Sequence, residues 1–188
     1  MSPSRALITG STERVESLSK AFEQAGVEAV TLADLGPDCA AVDCYVQLGF
    51  TVPARGDTVV RRVRSFLSDG LIERFAIVER VLPLLADPAT VLLVTGNQSS
   101  EAAAPDDRAA RLMILHVLAH AIRADRAPQR IRVRVISDER SDAELVEFAT
   151  TGAKDPLTTP PGTAEESVGA LDYQDWRAEV MGLFQVEA

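Results

Sequence analysis

His116 and His120 are the only histidines in this 188-residue chain, and they stand four residues apart. On a helix that spacing puts two imidazoles on one face, where they could share a metal ion. The intervening Val117-Leu118-Ala119 offers no glutamate for a zinc-protease motif, and no third ligand accompanies the pair. The expectation is therefore packing or interface histidines with no metal bound, able to make association pH-sensitive near neutrality. Cys39 and Cys44 alone are too few for a metal site, and without a secretory signal they are expected as reduced thiols in the cytoplasm. Asn97-Gln98-Ser99-Ser100 could hold a polar ligand, although a plain loop explains it as well. Arg108 and Arg111, one helical turn apart, could hold an acidic ligand or a partner's carboxylate. Asp34, in a turn, reads as a solvated aspartate.

These residues depend on the elements beneath them. Arg5–Thr9 is a short apolar run broken by Gly10-Ser11, and Val15, Leu18, Ala21, Phe22 and Ala25 then recur at helical spacing up to Gly26. Ala29–Leu32 and Asp43–Leu48 read as a second and a third strand, Val91–Val94 as a buried strand, and Ile131–Ile136 as an alternating, half-exposed one. Two unusually apolar helices are expected at 57–85 and 106–125. The second carries Leu112, Met113, Ile114, Leu115, Val117 and Leu118, too much apolar surface for the single stripe of a surface helix. One face can pack on the sheet; a partner subunit, or the chain's own C-terminal helices, must cover the other. A loop at 152–162, rich in turn residues, precedes a last helix from Tyr173 to Phe184 that holds Trp176.

Alternating strands and helices with short turns imply an α/β fold, an open and mostly parallel sheet of about five strands with helices on both faces. The whole chain is expected as one Rossmann-like domain, with a core at 1–137 and a C-terminal loop and helices at 138–188. The formal net charge of −9 argues against nucleic acid, which needs a positive footprint. No apolar run approaches a membrane span, and no signal peptide is visible, so the expected location is cytoplasmic.

Ala6-Leu7-Ile8-Thr9-Gly10-Ser11-Thr12-Glu13-Arg14-Val15-Glu16 resembles the first strand and helix of the short-chain dehydrogenase/reductase family. Arg123–Val133, with Ala127-Pro128 and Ile131-Arg132-Val133, is similar to the stretch leading into that family's sixth strand. Val81–Leu85 followed by Val91–Thr95 is similar to the helix and strand before its catalytic serine. The resemblance covers roughly residues 5–137 and implies strand order of the 2-1-4-5-6 type. Only about a dozen residues separate Asp34 from Val46, too few for a crossover helix and the family's third strand, so that strand is expected to be missing.

The same register implies lost chemistry. Gly10 remains, but the second and third fingerprint glycines fall on Arg14 and Glu16, where backbone should approach a pyrophosphate. The family's serine falls on Gly96 or its neighbour Thr95, its tyrosine and lysine on Arg108 and Leu112, and its asparagine near Gly70. Neither Tyr45 nor Tyr173 has a lysine four residues later. Gly10 and Asp34 would then be vestiges of a cofactor site, and no cofactor is expected.

The resemblance implies a non-catalytic subunit paired with an active short-chain dehydrogenase/reductase, or with a second copy of itself. The contact would run through the two long helices, at Phe66, Ile72, Phe75, Val78, Arg108, Arg111, Leu112, Leu115, His116 and Ala119. Two alternatives remain. One is a divergent NAD(P)-dependent oxidoreductase with a relocated site at Asp34 and the Asn97 loop. The other is a scaffold like the structural half of a polyketide ketoreductase.

Overall fold

The structure, a computed structural model, describes residues 4–10, 12–34, 41–49, 55–65, 67–68, 72–95 and 105–151, side chains at 12–13, 74 and 105–111 excepted. All of them lie within the unit Met1–Asp155. Five strands, β1 (Arg5–Thr9), β2 (Glu28–Val30), β3 (Val42–Gln47), β4 (Leu85–Val94) and β5 (Ile131–Ile136), form one sheet in the order β2-β1-β3-β4-β5. Every pairing is parallel. This is an α/β, Rossmann-like sheet, and its order is the expected 2-1-4-5-6 pattern with its strands renumbered.

Each central strand is buried on both faces, which is why it reads as a continuous apolar run. Ala6, Ile8, Cys44, Val46, Leu92, Val94 and Ile136 point to one side, where they meet Leu18 and Phe22 of α1 (Thr12–Gln24). Leu145, Val146, Phe148 and Ala149 of α6 (Asp142–Thr151) complete that layer. Leu7, Tyr45, Val91, Leu93, Val133 and Val135 point to the other side. There they pack on Val78 and Val81 of α4 (Ile77–Val81) and on Leu115, Ala119 and Ile122 of α5 (Pro105–Asp125).

Gly26 ends α1 as its position implies. Its φ of +79° is left-handed, and Val27 N donates to Phe22 O at 2.9 Å, closing the last turn. α6 begins with a reciprocal cap. Ser141 N donates to Glu144 Oε2 at 2.8 Å, while Glu144 N donates to Ser141 Oγ at 3.3 Å. Helices were expected within 138–188 without a start being named, and Ser141 and Glu144 carry the capping-box spacing that marks this one.

Two boundaries differ from expectation. Within the span expected as one helix at 57–85, the described residues form α2 (Val59–Ser65), α3 (Glu73–Phe75), α4 and a tight turn at Leu82–Leu84. Residues 66 and 69–71 lie outside the described residues, and Pro83 lies in the tight turn that ends the helical stretch. Leu85 opens β4 rather than closing a helix, pairing with Val42. The strand expected to reach Leu32 stops at Val30, and Leu32–Asp34 forms a 3₁₀ turn. Among the described residues no helix is long and apolar enough to cross a membrane.

Candidate functional site

In an open parallel sheet, ligands gather beyond the carboxyl ends of the strands where the strand order reverses. Here that place lies between β1 and β3, because β2 and β3 flank β1 on opposite sides. The chain's own atoms press together at this point. Leu48 N donates to Thr9 O at 2.8 Å, and Gly10 turns away with φ +134°. A Cβ on Gly10 would stand 2.5 Å from Leu48 Cβ and 2.9 Å from its carbonyl oxygen, so only glycine fits. Gly10 thus has a structural reason to be glycine, independent of any phosphate.

Directly below lies a polar cluster inside the apolar core. Tyr45 and Gln47, two residues apart on β3, share a face, and Thr9 is the register partner of Gln47. The Tyr45 hydroxyl donates to Gln47 Oε1 at 2.5 Å, and the Thr9 hydroxyl shares its one proton between that oxygen at 3.1 Å and the Tyr45 oxygen at 3.0 Å. Gln47 Nε2 donates to Leu48 O at 3.1 Å. All three side chains are buried, and burial pushes the Tyr45 phenol above its ordinary value, with the Thr9 hydrogen bond opposing. The hydroxyls satisfy one another and the amide, which is what a buried polar group requires. This cluster was not anticipated. Its signal was Gln47, a polar residue inside an otherwise apolar strand.

Arg14, at the second fingerprint-glycine position, is tied to the loop after β5. Its Nη1 donates to Asp138 O at 2.9 Å, its Nη2 to Arg140 O, and its Nε lies 3.4 Å from Asp142 Oδ1. Ser17, one turn on, donates to the other Asp142 oxygen. These bonds fasten the first turns of α1 to the start of α6. Glu16, at the third glycine position, is exposed.

At the ends of β4 and β5, Thr95 is buried and its hydroxyl donates to Asp138 Oδ1 at 2.9 Å while accepting from Asp138 N at 3.0 Å. Burial raises the Asp138 carboxyl above its ordinary value, and the Thr95 hydrogen bond, its own backbone and Arg14 pull the other way. The hydroxyl nearest the family's serine position is therefore engaged in closing a loop.

Asp34 caps its own turn. Thr31 N and Thr31 Oγ1 donate to Asp34 Oδ2 at 2.7 and 2.8 Å, and the Thr31 backbone bond is the main reason its carboxyl is held below the usual range. The side chain is exposed, as a turn aspartate should be. On α5, His116 is half-buried and its imidazole is pushed down by burial and then by Arg123; His120 is exposed. Among the described residues no cluster of three metal-ligating side chains exists.

The residues expected at an interface divide. Val78, Leu115 and Ala119 are buried against the chain's own sheet. Phe75 and Leu112 are partly buried against the same core, and Ile72 is 63% exposed. On the outer side of α5, Met113 and Ile114 are half-buried and Val117 is exposed. Phe66, Gly70, Gly96, Asn97–Ser100, Tyr173 and Trp176 lie outside the described residues, as do the side chains of Arg108 and Arg111. Comparison with protein-family models, with curated proteins and with solved structures returned no match.

Proposed function

We propose that this chain is a non-catalytic subunit, similar to a short-chain dehydrogenase/reductase, that stabilises an active dehydrogenase or shapes its substrate entrance. The observation that carries the reading is Arg14. A dinucleotide fold needs backbone free of side chains where the pyrophosphate lies over the first helix. Here a guanidinium fills that position and gives its donors to Asp138 O, Arg140 O and Asp142. The Thr95 hydroxyl, bonded both ways to Asp138, supports the same reading, because a proton-transferring hydroxyl must face substrate rather than close a loop.

Calorimetric titration with NADH and with NADPH tests the non-catalytic half. Silence to millimolar concentration is the expected outcome, and micromolar affinity would restore an oxidoreductase with a relocated site. Purification from the source cell tests the other half. A dehydrogenase should accompany the chain through two orthogonal columns, and a chain that elutes without one has no such partner.

A further inference from the structure

α2 is a short helix on which every residue from Val59 to Arg64 is exposed and none is buried. Three of those residues are valines, exposed by 67% (Val59), 77% (Val60) and 52% (Val63). At about 3.6 residues per turn they fall on one arc, with Arg62 on one flank, Arg64 on the other and Arg61 behind. Arg61 is paired with Asp57 at 2.8 Å, whereas among the described residues neither Arg62 nor Arg64 meets a carboxylate. A basic, apolar patch thus stands on a chain whose net charge is −9.

Scattered exposed apolar residues need no explanation; a contiguous arc of them rimmed by charge marks an interaction surface. We infer that α2 docks a different protein, one that presents an apolar centre edged with carboxylates. Charge decides between the occupants. In a twofold pair of this chain, Arg62 and Arg64 would face their own copies, and like charges placed together oppose association. Nucleic acid would leave the valines without a role. An acidic protein surface satisfies both features: the valines lose water, and the two arginines gain partners. This inference rests on the subunit reading and names the chemistry of the subunit's partner.

The test places a benzophenone amino acid at position 60 in the full-length chain, expressed in its source cell, and maps the photo-adduct by mass spectrometry. The expected adduct lies in a carboxylate-rich segment of another protein. Its yield should fall about tenfold in R62E/R64E and in high salt, as for a charge-steered contact. Circular dichroism of the same variant should match the parent, since neither arginine packs on anything described. An adduct with a second copy, no adduct, or binding of the purified chain to phosphatidylserine vesicles through α2 would overturn the inference. If the adduct partner is acidic but no dehydrogenase, the docking surface stands and the subunit reading falls. If a dehydrogenase co-purifies while position 60 stays unlabelled, the reverse holds.

Discussion

Replacing Arg14 with methionine removes the guanidinium and keeps the apolar length of the side chain. Two of its bonds go to backbone carbonyls, of Asp138 and Arg140, and the third contact reaches Asp142 at 3.4 Å. A hydrogen bond to a charged group contributes about 1.5–3 kcal/mol net. Arg14 and Asp142 are each about a quarter exposed, so water can return to the carbonyls and the low end applies. The long contact to Asp142 adds at most about 1 kcal/mol, as partly exposed ion pairs do. The expected loss is about 3–4 kcal/mol. For a chain of this size that lowers the unfolding midpoint by about 6–16 °C. Thermal and urea unfolding followed by circular dichroism would measure it, and hydrogen exchange would place it. Amides at 138–145 should lose protection while those of β2 keep theirs. Lysine at position 14 should recover only part of the loss, since one ammonium cannot serve three separated acceptors in the guanidinium's fork. A methionine variant within about 0.5 kcal/mol of the parent would refute the reasoning, because a surface substitution with no structural role costs no more.

Gly10→Ala should cost about 2–5 kcal/mol, combining a strained positive φ with a Cβ driven into Leu48; urea unfolding measures it, and a loss under about 1 kcal/mol would contradict the close approach. Tyr45→Phe should cost about 1–2 kcal/mol in the same assay, since Gln47 Oε1 keeps the Thr9 hydroxyl; an unchanged midpoint would mean the buried cluster contributes nothing. Burial pushes the Cys44 thiol up to about 12, so in a Cys39→Ser background the folded chain should resist Ellman's reagent and react once denaturant is added; equal rates in both states would contradict its burial. The Glu144 carboxyl is held below the usual range, chiefly by the Ser141 backbone N–H and then by its hydroxyl. A depressed folded value contributes stability above the unfolded carboxylate value near 4 and loses it as pH falls through the folded value. Protection of the first-turn amides of α6 should therefore drop in acid in the parent but not in Glu144→Gln, whose amide still caps without titrating; identical acid profiles would exclude the cap as the cause.

The parallel sheet was readable because the central strands are continuous apolar runs, and the spacing between Asp34 and Val46 leaves no room for a further crossover helix and strand; the order of the strands came only from the resemblance. The long helix expected at 57–85 was not readable. Its apolar periodicity is helical in α2 and α4, but Pro83 sits in a tight turn that stops the pattern before Leu85. Leu85 and Ala89 therefore belong to β4, whose first half looks like neither a strand nor a buried run. α6 was available from Ser141 and Glu144 and from Leu145, Val146, Phe148 and Ala149, which fill one stripe. At the site, Gly10 was legible as a break after the first strand, whereas Arg14 drew notice only through the resemblance, which sets it at a fingerprint-glycine position. The destination of the guanidinium was not legible, because Asp138 and Arg140 lie more than a hundred residues away in sequence. Asp34 needed only local chemistry, a turn closed by its own carboxylate onto Thr31.

Three polar residues at or just beyond the carboxyl ends of the strands join elements that are distant in sequence. Thr9 joins β1 to β3 through Tyr45 and Gln47, Arg14 joins α1 to the loop before α6, and Thr95 joins β4 to that same loop through Asp138. In a working dinucleotide fold this edge must keep donors and backbone free for the ligand, and its stability suffers accordingly. Here the same groups are used to hold the sheet's ends together. These internal bonds make the edge rigid whatever the chain's role. Among the described residues, Val60 on α2 is the most exposed of the large apolar residues, with Arg62 and Arg64 on its flanks. A structural subunit of the kind proposed would use such a division, because its work would be done by the surface it offers to a partner.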